Sequence, residues 1–398
     1  MFMNFRRIHK CQCVQLLTTG LLLCVVMVWW EELDHHMTHV KSFMYRYLIN
    51  SFVFLSSSLM ITSSHHHGKD ASNSVNGAIG NYPYLINHPN KCGGGGEDGE
   101  TWDDVLLLLF VKSSPENVKQ RQTIRDTWGN ESFVRSKLGV SIKVVFVLGI
   151  HPDVMRRSRM QAALLQEDHA YGDLIQQDFV DTFYNLTTKL ILQFHWGHEY
   201  CPLAQFFMSA DDDVFIHMPN LVRYLQQVTS SQSGAKDMWV GHVHRASPPV
   251  RYKKSKYHVP YDLYPWPSYP DYTAGAGYVV SGNVAAKIYH ATLMLNSSLY
   301  IDDVFMGICA NIMGISPQEH VYFSGGGKAP YHPSIFDYMI TSHGHATDMH
   351  SFWQAATDPT VSRSCKGYMG NLYCSFVRVM LLCLPRFQNT YSCMAAFT

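Results

Sequence analysis

The sequence predicts an α/β domain built on a mostly parallel sheet with helices on both faces. Two observations carry this. Apolar runs of strand length recur at 105–111, 142–148 and 204–208, each continuous as in strands buried on both faces. Between them lie stretches of helical spacing, and strand alternating with helix gives a parallel sheet. In such sheets ligands gather at the carboxyl ends of the strands.

Taken in order, the chain opens with an uncharged run at 11–30, preceded by Arg6, Arg7, His9 and Lys10 and followed by Glu31, Glu32 and Asp34. About 20 apolar residues are what a ~30 Å hydrocarbon core requires. Basic residues before the run and acidic ones after it place residues 1–10 in the cytosol and everything beyond 30 on the far side. Trp29 and Trp30 suit the membrane interface, and no small-x-small cleavage site follows, so the run reads as an uncleaved signal anchor. Residues 31–103 lack sustained periodicity and contain Ser56 to Ser58, a histidine run and a tetraglycine, as a spacer would. Within this spacer, 45–50 and 82–87 are both apolar enough to dock somewhere.

Far-side placement has other support. Three N-glycosylation sequons begin at Asn130, Asn185 and Asn296. Seven cysteines lie beyond the span, enough for three disulfides and one thiol, with Cys365, Cys374, Cys383 and Cys393 crowding the tail at 361–398. Lys+Arg and Asp+Glu both number 31, so the chain lacks the basic excess of a nucleic-acid binder.

The folded domain is expected over 104–360. After the first strand, Pro115-Glu116 opens a helix holding Arg121, Arg125 and Trp128; a polar helix follows at 154–169, and another at 184–200 presents Leu186, Leu190, Ile191 and Phe194. The strand at 204–208 runs into Asp211-Asp212-Asp213 and then Val214-Phe215-Ile216. Three carboxylates pinned at a strand end repel unless a cation or many donors neutralise them. Alternation puts Asp211 and Asp213 on one side, and oxygen ligands favour magnesium, manganese or calcium over zinc. The competing reading is an acidic surface turn, which the flanking apolar strands disfavour.

A second acidic pair, Asp302-Asp303, precedes a helical run. Carboxylates there serve either as dipole partners or, when they share a cleft with the first cluster, as a general base. Between the two clusters, Tyr269-Pro-Asp-Tyr272-Thr-Ala-Gly275-Ala-Gly277-Tyr278 offers close backbone approach and sugar-stacking rings, or an ordinary turn before a strand. His343 and His345 suit a metal shell, and His242 and His244 an acceptor groove.

These segments in sequence order resemble the β1,3-glycosyltransferase family that includes the galactosyltransferase, brainiac and fringe proteins. The resemblance rests on Arg121-Gln-Thr-Ile-Arg125-Asp-Thr-Trp128-Gly, Asp178-Phe-Val-Asp181 with Tyr184 to Thr187 and Lys189, the triple aspartate, 269–278, and Asp303-Val-Phe-Met-Gly307. It implies a GT-A fold, a UDP-sugar donor, a manganese ion and inversion at the anomeric carbon. Asp213 and His343 then match the metal ligands, and Asp211 and Asp212 the donor contacts. Arg121, Arg125, Gly275 and Gly277 are further donor-side candidates, Arg121 and Arg125 serving equally well as helix anchors.

Asp303 matches the general base, and Asp302, Tyr269, Tyr272 and Trp239 are candidates for the acceptor. Asp302 departs from the family, which usually has Glu there. Segments at 45–50, 175–181, 270–275 and 296–307 resemble the branch that moves N-acetylglucosamine from UDP-N-acetylglucosamine to the galactose of lactosylceramide, at the Golgi membrane. A β1,3-galactosyltransferase, or transfer to glycoprotein or polylactosamine acceptors, is the alternative.

Overall fold

The computed structural model describes Leu22 and residues 82–93, 104–231, 234–295, 299–363, 365–383 and 390–397. The expected span at 11–30, apart from Leu22, most of the spacer and the Asn296 sequon lie outside these residues. Among the described residues no helix is long and apolar enough to cross a membrane.

In chain order the elements are β1 (Tyr84–Ile86), β2 (Leu107–Lys112), α1 (Val118–Asp126), α2 (Glu131–Leu138), β3 (Ile142–Ile150), α3 (Val154–Tyr171), β4 (Leu174–Val180) and α4 (Leu186–Tyr200). Then follow β5 (Phe206–Asp211), β6 (Phe215–Ile216), α5 (Met218–Ser230), β7 (Trp239–His244), β8 (Tyr272–Ser281), α6 (Gly282–Met294) and α7 (Asp302–Ile312). The chain closes with β9 (Gln318–Glu319), α8 (Pro333–Phe336), β10 (Thr341–Ser342), α9 (Met349–Thr357), α10 (Pro359–Arg363) and α11 (Gly367–Leu382).

Among the described residues the main sheet has the order β1-β4-β3-β2-β5-β8-β7-β9. Its centre, β4-β3-β2-β5, is parallel, while β8 runs antiparallel to both β5 and β7. The mixed α/β class with a large, mostly parallel sheet is therefore the one the apolar runs indicated. Strand alternation explains the burial on both faces: Leu107, Leu109 and Val111 of β2 enter one core, and Leu108 and Phe110 enter the other. Helices α4, α6 and α7 close the second core through Leu190, Ile288 and Phe305, and α1, α2, α3 and α5 close the first through Ile124, Val134, Leu164 and Leu221.

Two expected boundaries move. The spacer ends before Tyr82, because β1 pairs with β4 and Cys92 is bonded to Cys201. The cysteine-rich extension is not a separate tail: Tyr391, fully buried, donates its hydroxyl to the Thr341 carbonyl at 2.5 Å, and Leu382, Tyr391 and Ala395 join the first core. The other two disulfides, Cys365–Cys374 and Cys383–Cys393, staple this segment, and Cys309 is a buried free thiol.

The Cys92–Cys201 bridge closes a long loop, and removing such a bridge costs about 2–5 kcal/mol. A Cys92→Ser/Cys201→Ser variant is expected to melt at a clearly lower temperature in a thermal scan; an unchanged midpoint would mean that the pairing of β1 with β4 holds the segment unaided.

Candidate active site

The triple aspartate sits where β5 ends. Asp211 is in register with Lys112, the last residue of β2, so a cation and an anion finish neighbouring parallel strands. The Lys112 ammonium, almost fully buried, lies 3.0 Å from Asp211 Oδ1 and 2.9 Å from Asp302 Oδ2, and donates to the Gly275 carbonyl at 3.0 Å. One side chain thus gathers the ends of β2 and β5, the glycine strand β8 and the first turn of α7. Burial opposes its charge, but Asp211 and Asp302 outweigh that and hold its pKa well above the ordinary lysine value.

His343 reaches the same place through a separate ribbon. Strand β10 pairs antiparallel with β6, Ser342 opposite Phe215, and the His345 amide donates to the Asp213 carbonyl at 2.7 Å. His343 Nε2 then stands 3.4 Å from Asp213 Oδ1, and Asp211, Asp213 and His343 each present a ligand atom, all within 4.8 Å of one another. Two carboxylates and one imidazole fit a hard divalent cation such as manganese or magnesium. The hydrogen bond that His343 donates to Asp213 raises the His343 pKa to about 9; burial works against ionisation of Asp213, and His343 overcomes it to lower the Asp213 pKa. His345, fully buried, bonds Ser342 and Asp348 instead and braces the ribbon.

Asp303 lies in the first turn of α7, beside the Asp302 carboxylate. Burial first, and then the like charge of Asp302, push its pKa up to about 7 against the pull of Lys112. Close packing fixes this helix end: a Cβ on Gly307 would stand 2.8 Å from Tyr272 Cβ, so only glycine lets α7 approach the start of β8. A Cβ on Gly275 would meet Asp303 Oδ2 at 3.5 Å and Lys112 Nζ at 3.6 Å, which puts that backbone between the Asp303 carboxylate and the ammonium. Gly277, opposite Ala210 in the neighbouring strand, flanks the aspartates from the other side.

Tyr272 and the buried Tyr269 stand edge to face at 6.3 Å beside this turn, and the Tyr269 hydroxyl has no hydrogen-bond partner. His244 packs 5.1 Å from Tyr272, with His242 behind it. Trp239 does not line the acceptor side: it is fully buried, and its indole donates to Thr273 Oγ1 at 3.0 Å, so it serves the core. Asp302 is spent on Lys112 rather than left free.

Behind the acid cluster, Ser113 Oγ and Asn117 Nδ2 donate to Asp212 Oδ2 at 2.6 and 2.9 Å. Arg121, with no exposed surface, makes a bidentate pair with Glu167 at 2.8 and 2.7 Å and also bonds Ser113 and the Ser114 carbonyl. Arg125 holds Glu167 and Asp173 and stacks on Phe146 and Tyr171. Of the two roles open to these arginines, anchoring is the one their contacts in this structure serve. Lys189 likewise ties Asp181 to the Ser113 carbonyl.

Sequence reasoning passed over Lys112, Ser113, Asn117 and Glu167; the one signal for Lys112 was a cation closing an apolar strand. Among the sequons, Asn130 caps α2 through its Oδ1 and Asn185 Nδ2 donates to the Val180 carbonyl.

Breaking a buried ion pair by deleting one partner costs about 3–5 kcal/mol, because the other charge stays unpaired. Lys112→Met should lose stability on that scale in denaturant unfolding, and Lys112→Met/Asp302→Asn should regain part of it. Equal stability of Lys112→Met and the parent would show that the clamp carries no weight.

A galactosyltransferase family profile matches residues 119–321. Over its full length the chain is 57% identical to lactosylceramide 1,3-N-acetyl-beta-D-glucosaminyltransferase A of Danio rerio, covering 100% of both chains. It is 51% identical to the Homo sapiens lactosylceramide 1,3-N-acetyl-beta-D-glucosaminyltransferase, covering 100% of this chain and 99% of the relative, and 52% identical to the Xenopus tropicalis enzyme, covering 100% of each. A solved glycosyltransferase involved in the glycosylation of the major capsid of PBCV-1 covers 63% of the chain and 98% of itself, but 12% identity and a TM-score of 0.30 add nothing to these matches. By the profile and by full-length identity, this chain belongs to the galactosyltransferase family and is a glycosyltransferase.

Proposed function

We propose that the chain transfers N-acetylglucosamine from UDP-N-acetylglucosamine to the 3-hydroxyl of the galactose of lactosylceramide, with inversion, on a GT-A scaffold. The observation that carries this reading is the convergence of Asp211, Asp213 and His343 with Asp303 around Lys112. The substrates are those named for the full-length relatives. A manganese ion held by Asp211, Asp213 and His343 would neutralise diphosphate charge.

The protein's own groups do the rest. Asp303, not among the three ligand residues, is free to take the proton of the acceptor 3-hydroxyl as its oxygen forms the bond to C1 of the sugar. The bond from C1 to the diphosphate breaks, its electron pair leaving with UDP. Lys112 keeps Asp302 paired and holds α7 in place, so the proton acceptor stays aimed. Tyr272 offers a ring face to the acceptor sugar, and the buried Tyr269 backs it. The expected setting is the Golgi lumen, behind an N-terminal signal anchor, with N-glycans on the sequons.

Two outcomes follow. With lactosylceramide, product should form from UDP-N-acetylglucosamine and not from UDP-galactose, and Asp303→Asn should lower the rate by about 10²- to 10⁴-fold at unchanged melting temperature; transfer from UDP-galactose alone would overturn the donor. Because the base works only when ionised and its pKa is raised to about 7, kcat/KM should fall about tenfold per pH unit below that value and level off above it. A flat profile from pH 5 to pH 8 would remove Asp303 as the base.

A further inference from the structure

One face next to the proposed acceptor side carries chemistry that sugar transfer does not use. Between β7 and β8 the chain runs through Arg251-Tyr-Lys-Lys-Ser-Lys-Tyr257. Val259 and Tyr264 of this loop pack with Leu299, Ile301 and Val304 in a small core of their own, which fastens the loop to the turn that carries Asp303. The Tyr300 hydroxyl donates to the His258 carbonyl. Phe183 stands 5.2 Å from Tyr257 and 5.9 Å from Tyr300, and Lys256 Nζ lies 5.0 Å over the Phe183 ring. Arg251 is spent inward, on the carbonyls of Val259, Tyr264 and Trp266. The loop is therefore held in shape by its own bonds, and what it turns outward is fixed rather than incidental.

Outward it turns Tyr252, 66% exposed, and Tyr261, 65% exposed, with the exposed Lys253, Lys254 and Lys256; Tyr184, 62% exposed, adjoins them through Tyr300 at 5.1 Å. Residues 251–262 hold four cations against the single carboxylate of Asp262, in a chain whose net charge is zero. Lys253 and Lys254 have no carboxylate within ion-pair reach among the described residues. Tyrosines with an apolar ring and a polar tip, beside lysines on long apolar stems, have the chemistry of the lipid headgroup zone. Uncompensated lysines add attraction to the sulfate and carboxylate headgroups of acidic glycolipids, the anionic groups a lumenal leaflet presents.

We infer that the 251–262 loop docks on an anionic lipid surface and seats the catalytic pocket over the bilayer that holds its acceptor. The inference rests on the glycolipid reading above. A two-sugar headgroup projects only a short way from the lipid, so the base must come close to the membrane, and the surface flanking Asp303 must face it.

The test uses the full chain and Lys253→Glu/Lys254→Glu, in nanodiscs of phosphatidylcholine with or without an acidic glycolipid that has no free galactose 3-hydroxyl. Without any acceptor, amide exchange over 251–262 should slow on anionic discs for the parent and not for the variant; equal exchange on both lipids would overturn the inference. With lactosylceramide in anionic discs, the variant should be slower by roughly tenfold or more, while transfer to free lactose stays within about twofold of the parent. An equal loss on both acceptors would place the lysines at the sugar instead and overturn the inference. Failure of the parent to glycosylate either acceptor would sink the glycolipid reading, and exchange would still report docking on its own.

Discussion

Four pieces of the chain that are distant in sequence meet at the Lys112 ammonium. It is nearly buried, it touches carboxylates from β5 and α7, and it bonds the backbone of β8. A buried cation of this kind must have partners, since an unpaired ammonium in a low-dielectric interior would shed its proton or drag in water. Equally, Asp211 and Asp302 cannot both stay charged side by side without it. The Asp211–Asp213–His343 cluster and Asp303 are therefore not independent features: moving α7 would take Asp302 from Lys112, and losing Lys112 would let Asp302 and Asp211 repel.

A second layer of buried charge stands behind the first. Glu167 on α3 pairs with Arg121 on α1, Arg121 bonds Ser113, and Ser113 bonds Asp212. Burial works against the charge on Glu167, and the two arginines more than compensate, so its pKa is lowered. Lys189 and Asp181 hold the Ser113 carbonyl from the opposite side. Three helices thus fix one short segment at the end of β2, and that segment fixes the middle aspartate. Such networks are costly to assemble but give a single geometry, which a pocket that must aim several oxygens at once requires.

The buried strands were legible because residues 107–111, 142–148 and 206–210 are apolar on both faces, and a run of that kind has few alternatives. The acid clusters were legible because carboxylates at a strand end demand neutralisation. Partners across long separations were not. Nothing near Arg121 in sequence reveals that Glu167 awaits it, 46 residues away, and so a phosphate contact and a core anchor looked alike. Trp239 misled for a related reason: an indole looks the same in sequence whether it faces a sugar or a threonine hydroxyl in the core. The 82–93 segment reads as a spacer because a three-residue edge strand and one cysteine leave almost no periodic signal.

That edge strand has a mechanical consequence. Strand β1 sits at the rim of the sheet, with β4 and β3 between it and β2, and it is riveted through Cys92 to the far end of α4. Any pull transmitted along the backbone from before Tyr82 would be borne by a covalent crosslink and a short edge ribbon, and would enter the sheet at Cys201, just ahead of the strand that carries the aspartates, rather than through β2 and Lys112.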